Sequence, residues 1–408
     1  MEKNQLMTAE IKNAGVLGLG VMGFDIAFLY AMKGYRTVAY DAAKQVMEAL
    51  LDRREQTIER LKKRNRISDK EAQQVRTQLV PAMAFGEVAG VDIVTEAVSE
   101  SAKTKIAVYR ALGEIGFKGI LTTNTSSLPR RALLSDGSYD GGKFATTHFF
   151  NPVLYTRMVE VVRGDMDENR FASLVAFLKS LERSPVETED ISGFVSNSIL
   201  MYYAVMALHL LQSGARIEQV DQAAKQLGLL PPFISFDSWK PSIVEDVTRV
   251  MAEARGDTFL RSSKLLSILA RNNPAFYVAQ KPNPQIYDCV GHQDATADSS
   301  SIERALKAAI YVAAARVVEL GEDPIKVDFI CVGGIKIPQP PLKEIDHMGA
   351  AAVIKDLDAV NGAVPEAGLN PPKILAAMAK EKQNFYRGEL ANPWIRSFVE
   401  QQRSHASH

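Results

Sequence analysis

Cysteine is nearly absent from the 408 residues: Cys289 and Cys331 are the only two, which excludes a disulfide framework and any metal site built on thiolates. Net charge is absent as well. Lys plus Arg number 48 against 48 Asp plus Glu, so no global field points to nucleic acid or an anionic membrane as partner. No apolar run reaches membrane-spanning length, and Met1 to Glu10 is too polar for a signal peptide. Together these absences lead to the expectation of a cytoplasmic protein that meets neither nucleic acid nor membrane. The rest of the composition, 46% hydrophobic and 24% charged, suits two or three domains with a large core.

What is present begins at Ala14. Ala14 to Leu17 is a short apolar run, Gly18-Leu-Gly-Val-Met-Gly23 is a G-x-G-x-x-G turn, and Ile26 to Met32 carry an apolar helical face closed by Gly34. Arg36 to Tyr40 form the next strand. In such a unit Gly18 permits the tight turn, Gly20 admits a pyrophosphate close to the backbone, and Gly23 lets helix and strand pack, with the amino terminus at Val21 and Met22 facing the phosphates. Asp41 follows Gly18 by 23 residues (41 − 18), where a carboxylate receives ribose hydroxyls and repels a 2′-phosphate. The stretch therefore reads as an NAD site. Asp25 is expected in the first turn of that helix, near the phosphates, where its charge suits the helix dipole but not the ligand.

Downstream, Ala42 to about Val80 reads as a helical hairpin broken near Asn65 to Ser68, where Ser68 and Glu71 make a capping box. Arg60, Lys62, Lys63, Arg64 and Arg66 cluster at its tip, as a solvated face or a site for a phosphorylated ligand. Val91 to Val98 is a buried strand leading to Glu96 and Glu100, followed by a helix with Lys103 and Lys105. Gly119 to Thr122 delivers Asn124 to Ser127 at the carboxyl end of a strand, where an open α/β sheet keeps its ligands. Phe144 to His148 and Met158 to Val162 are two more strands.

From Gly193 the character is helical, beginning with an apolar helix over Val195 to Leu211. Gly214, Val220-Asp221, Pro231-Pro232, Asp237 and Phe276-Tyr277 are echoed by Gly321, Val327-Asp328, Pro340-Pro341, Asp346 and Phe385-Tyr386, offset by 107 (328 − 221) and then 109 (385 − 276). This is a duplicated helical unit. The expected architecture is an α/β doubly wound, Rossmann-type domain over residues 1–190, then an all-α region duplicated as 191–298 and 299–408, with Lys281 to Ser301 as linker.

Oxidising a hydroxyl-bearing carbon by hydride transfer requires a base for the hydroxyl proton. His148 ends a strand on the side where a nicotinamide would lie, and Glu160 stands in the middle of the adjacent one. A carboxylate on one imidazole nitrogen fixes the tautomer and makes the other nitrogen more basic. At this point the chain resembles the L-3-hydroxyacyl-CoA dehydrogenase family. The likeness rests on Gly18-Leu-Gly-Val-Met-Gly23, Glu96-Ala-Val-Ser-Glu100 with Lys105, Asn124-Thr-Ser-Ser127, His148-Phe-Phe-Asn-Pro152, Met158-Val-Glu160 and Gly193-Phe-Val-Ser-Asn197.

The resemblance implies an NAD-dependent oxidoreductase of acyl-CoA β-oxidation. It assigns His148 as general base, Glu160 as its partner, Ser126 and Asn197 as donors to the substrate oxygen, and Glu100, Lys105 and Asn124 as residues of the cofactor site. It makes the basic hairpin, with Lys62 and Lys63, the coenzyme A surface. It also implies that the two helical copies pack on each other as an intrachain pseudo-dimer, with a homodimer as a further possibility. The chain departs from the family at Asp25 and Ser198, where glycine and arginine are usual, and at Leu230 to Asp237. Two other readings stay open: a dehydrogenase of a small hydroxy acid without coenzyme A, and a non-catalytic NAD-binding protein.

Overall fold

In the computed structural model, which describes residues 10–290 and 298–406, the apolar runs of the first half become eight strands. They are β1 (Asn13–Leu17), β2 (Arg36–Tyr40), β3 (Leu79–Pro81), β4 (Ile93–Glu96), β5 (Ile120–Thr123), β6 (Phe144–Phe149), β7 (Met158–Val162) and β8 (Ser184–Glu187). Their order across one sheet is β3-β2-β1-β4-β5-β6-β7-β8, and only the β6–β7 pair is antiparallel. The chain crosses from β1 outward to β2 and β3 and then back to β4. The crevice at the carboxyl ends of β1 and β4 is thus the topological switch point where such sheets bind ligands. β3 and β8 lie at the two edges and go beyond the strands expected from sequence. The stretch before Glu10 and residues 291–297, part of the expected linker, lie outside the described residues.

The chain divides into two compact units between Asp190 and Ile191. In the first, helix Val21–Met32 is buried almost all round because the sheet and the helical hairpin cover it on both sides. The helix starts at Val21, so Asp25 stands in its second turn and not its first. The hairpin consists of the helices Leu50–Lys63 and Asp69–Gln78, preceded by the short helix Lys44–Glu48. Ser68 and Glu71 form the expected capping box, each side chain accepting from the other's backbone N–H.

The second unit is helical, and its duplication extends to individual hydrogen bonds. In the first copy the Asp221 carboxylate accepts from the backbone of Phe233 and Ile234 and from the Tyr277 hydroxyl, while Asp237 accepts from the backbone of Phe276 and Tyr277. In the second, Asp328 accepts from Leu342, Lys343 and the Tyr386 hydroxyl, and Asp346 from Phe385 and Tyr386. These carboxylates cap helix starts and pin the segments that follow, so a repeated Asp and Tyr carries a repeated fold. Each copy of this helical region also holds a small two-stranded ribbon, Tyr277–Val278 with Lys281–Pro282 and Tyr386–Arg387 with Leu390–Ala391. The linker expectation is corrected in the same place. Lys281 belongs to a ribbon, Pro284–Val290 is helical, and the next helix starts at Ser299.

The central pair of helices in this unit is Ser196–Gln212 from the first copy and Ser299–Glu319 from the second, packed along each other, with Ala308, Ala313 and Val317 of the second among its buried residues. His209 is buried in the first of these, with Nε2 2.6 Å from the Ser262 hydroxyl. Burial pushes its pKa from 6.5 down to about 4. The native state therefore binds fewer protons than the unfolded chain between those values, and stability falls as the pH drops from about 6.5 toward about 4. Over that interval the lost stability amounts to ~3 kcal/mol. His209→Gln should flatten this part of the melting temperature against pH, and an unchanged slope would show that His209 does not control it.

Candidate active site

The glycine turn does what its letters require. Gly18 has φ 84°, and a Cβ there would lie 2.7 Å from the Ala97 carbonyl oxygen, while one on Gly23 would lie 1.8 Å from the Gly18 oxygen. Around Gly20 a Cβ would meet nothing within 4 Å. Two glycines are needed inside the protein, and the third opens onto space at the start of a helix that no side chain caps. That open cradle beside uncapped N–H groups fits a dinucleotide pyrophosphate.

Asp41 directly follows β2 at the same crevice. Its Oδ2 accepts from the Leu19 N–H at 2.7 Å and its Oδ1 from the Ala43 N–H at 2.8 Å, so the carboxylate also shapes the glycine loop. Each oxygen keeps a second lone pair for a ribose hydroxyl. Asp41→Ala should therefore weaken NAD and also narrow the NAD to NADP ratio of kcat/KM, and a wild-type preference for NADP would contradict the assignment.

Arg53 was not anticipated from sequence. It reaches from the hairpin to the carbonyls of Leu19 (2.8 Å) and Gly20 (3.1 Å), with its guanidinium 3.9 Å from the centre of the Phe24 ring. Burial raises the Asp25 carboxyl, and the charges of Arg53 and Arg60 oppose that rise. The hairpin arginines thus offset part, but not all, of the effect of burying Asp25. A long arginine one helix away leaves no periodic signal, and only the unusual acid at Asp25 hinted at a cation nearby.

At the end of β4, Glu96 is fully buried and accepts on both oxygens. It accepts from the Val98 N–H and Lys105 Nζ on one oxygen and from the Tyr109 and Thr123 hydroxyls on the other, each at 2.8 Å. Lys105 is itself buried and also lies 3.5 Å from Glu100. Its ammonium thus pairs with two carboxylates, one buried at Glu96 and one partly exposed at Glu100. Glu100 in turn gathers the loop after β5, accepting from the Thr125 hydroxyl (2.6 Å) and from the Ser126 and Ser127 N–H groups (2.7 and 3.0 Å). It holds the backbone that presents Ser126. Asn124 ties this loop to the next strand, its Oδ1 accepting from the Phe149 N–H at 2.9 Å.

One residue before Phe149 is His148. In the antiparallel β6–β7 pair His148 stands directly opposite Glu160, and Nδ1 lies 2.8 Å from the Glu160 carboxylate. Glu160 is wholly buried and His148 nearly so. With a carboxylate as acceptor, Nδ1 carries the hydrogen and the basic lone pair sits on Nε2. Cross-strand pairing thus builds an imidazole–carboxylate dyad next to the Ser126 loop. Asn197 lies in the other unit, at the second position of helix Ser196–Gln212. Of the basic cluster, Lys62 pairs with Asp69 at 2.5 Å, Lys63 is exposed, and Arg64 and Arg66 flank Tyr155.

A mostly parallel sheet with a glycine cradle, a carboxylate after its second strand and a buried imidazole–carboxylate dyad on its one antiparallel pair defines a dinucleotide-binding enzyme fold. The family model described as 3-hydroxyacyl-CoA dehydrogenase, NAD binding domain, matches residues 13–191, and the C-terminal domain of the same family matches residues 193–275. The chain belongs to the 3-hydroxyacyl-CoA dehydrogenase family. It is 33% identical over 228 residues to the fatty acid oxidation complex subunit alpha of Colwellia psychrerythraea, an alignment spanning 55% of this chain and 31% of that one. The chain thus matches about a third of the length of this curated relative. The fold is shared with a 3-hydroxybutyryl-CoA dehydrogenase from Escherichia coli K12 (TM-score 0.75, 18% identity, 91% of this chain and 99% of that one). An (S)-3-hydroxybutyryl-CoA dehydrogenase from Ralstonia eutropha is also similar (TM-score 0.58, 25% identity, 64% of this chain and 94% of that one). No helix among the described residues is long and apolar enough to cross a membrane, and no group of His, Cys, Asp and Glu among them could hold a metal ion.

Proposed function

We propose that this chain interconverts an (S)-3-hydroxyacyl-CoA and its 3-oxoacyl-CoA with NAD, as part of fatty-acid or related acyl-CoA β-oxidation in the cytoplasm. The observation that carries the reading is the dyad: His148 Nδ1 set 2.8 Å from a buried Glu160 across paired strands, beside the Ser126 loop. NAD, held by Gly18 to Gly23 and Asp41, supplies the hydride acceptor. His148 Nε2 takes the proton of the substrate hydroxyl, and Glu160 stabilises the imidazolium that results. Ser126 and Asn197 donate to the substrate oxygen and hold its carbon toward the cofactor. In the reductive direction the same imidazolium returns the proton to the forming alkoxide. Glu100 and Lys105 act behind this layer, fixing the loop that carries Ser126.

The hairpin places Lys62, Lys63 and Arg64 at an exposed tip, where they meet the phosphates of coenzyme A. Neutralising all three should raise KM for the acyl-CoA while KM for NADH stays unchanged, because their attraction acts on one ligand only. An unaltered acyl-CoA KM at low salt would return the cluster to a solvated face. The duplicated helical unit is read as an intrachain pseudo-dimer, the second copy covering the apolar side of the first.

A further inference from the structure

Asn197 sits on an improbable piece of backbone. The two residues leading into its helix, Gly193 and Phe194, have φ of 78° and 51°, and Phe194 is a fully buried aromatic in a conformation that side chains disfavour. Helix Ser196–Gln212 begins there without a side-chain cap. Such a turn persists only if its surroundings hold it.

The surroundings are the end of helix Pro241–Arg255. Met251 packs over Gly193, where a Cβ would lie 2.5 Å from its sulfur. Arg255 reaches both flanks of the turn with one guanidinium nitrogen, Nη2, which donates to the Ser192 carbonyl and, at 2.7 Å, to the Ser198 hydroxyl. Ser198 passes its own hydrogen to the Phe194 carbonyl. Residue 198 is one of the positions at which this chain departs from the family pattern, so that departure and the clamp occupy one place. Burial draws the Arg255 pKa down to about 10, which leaves it charged at neutral pH, and the nearby Asp257 carboxylate supports that charge. Asp257 is steadied in turn by the Tyr202 hydroxyl, with Arg316 of the second copy 3.9 Å away.

We infer that Arg255, through Ser192 and Ser198, is a positioning residue that sets the Asn197 side chain for the substrate oxygen. The inference rests on the donor role proposed for Asn197. A charged group bonded to both ends of a seven-residue turn (192 to 198) fixes its register far better than packing alone, and a misplacement of about 1 Å can cost about 10²-fold in rate. Since Asn197 is assigned to an oxygen whose charge changes during reaction, loosening it should lower kcat more than it raises KM.

The test is a double-mutant cycle on the full chain, reading kcat and KM with a 3-oxoacyl-CoA and NADH, with the NADH dissociation constant as the check on folding. Asn197→Ala should lower kcat by about 10- to 100-fold. Arg255→Met and the milder Ser198→Ala should lower kcat by about 5- to 50-fold with KM for NADH unchanged, and Arg255→Lys should restore part of the loss. In the Asn197→Ala background neither change should lower kcat further, since a clamp cannot misplace a side chain that has been removed. Should Arg255→Met fail to bind NADH, Ser198→Ala and Arg255→Lys complete the cycle. Additive losses, or full turnover in Ser198→Ala and Arg255→Lys while Asn197→Ala is impaired, would overturn the clamp alone. Full turnover in Asn197→Ala would overturn the donor role and the clamp together.

Discussion

Replacing His148 with Gln is expected to lower turnover by about 10²- to 10⁴-fold while NADH binds as in the wild type, because general-base catalysis contributes on that scale. Glutamine keeps a polar group opposite Glu160, so the β6–β7 pairing should survive and the loss should report chemistry rather than folding. Glu160→Gln should do similar damage by another route. The amide cannot stabilise an imidazolium as a carboxylate does, and its NH₂ competes for the Nδ1 lone pair in the wrong tautomer. Steady-state kinetics beside NADH titrations of each variant measure the effect. If His148→Gln keeps more than half of the activity, the base is elsewhere.

The second large effect concerns stability. A chain ending near Ala297 removes helix Ser299–Glu319, whose buried side packs along helix Ser196–Gln212. Helix Ser196–Gln212 is buried on almost every side in the intact protein, so the side that packs on the removed helix would return apolar surface to water. Each 100 Å² of apolar area returned to water costs about 2.5 kcal/mol, so a helix-length face costs several. The truncated chain should aggregate or dimerise anew, with a melting temperature lower by on the order of 10 °C. Light scattering and thermal melts of both chains decide it. A truncated chain that stays monomeric and as stable as the full one would show that the second copy does not cover the first.

The reach of the sequence can be seen residue by residue. β1, β2, β6 and β7 were legible because buried parallel or central strands are short apolar runs bounded by turn residues, and the dyad was legible because each partner sits on such a run. β3 and β8 were not. Leu79–Pro81 has three residues, and Ser184–Glu187 has no fully buried residue and contains a proline, as edge strands do. Lys281 to Val290 looked like linker because its polar residues form a ribbon and a helix start held by one side chain, Asn283, which bonds the Ala275 carbonyl and the Gln285 N–H. The repeat contained the missing signal. Asn392, 109 residues on (392 − 283), makes the equivalent bonds to the Asn384 carbonyl and the Trp394 N–H.

Charged residues were the least legible. Lys105, in the first turn of helix Ala102–Glu114, resembles any solvated lysine, and its burial follows from its pairing with Glu96 at the end of β4 and Glu100 in the loop that follows. Arg53 and Arg255 act 34 and 57 residues from their partners Leu19 and Ser198 (53 − 19 and 255 − 198), a distance at which no periodicity survives. Pattern reading finds the groups that lie on elements. It misses those that reach between them.

The most direct measurement is the initial rate of NADH oxidation when the wild-type protein is given a series of 3-oxoacyl-CoA esters and, separately, the matching 3-oxo acids without coenzyme A. Oxidation of NADH with at least one ester, at a kcat/KM at least about tenfold above that for the free acid, and giving the (S)-3-hydroxyacyl-CoA, is the expected result; tenfold corresponds to about 1.4 kcal/mol of binding to the coenzyme A moiety. Equal rates with ester and acid, or no NADH loss with any ester, would contradict it.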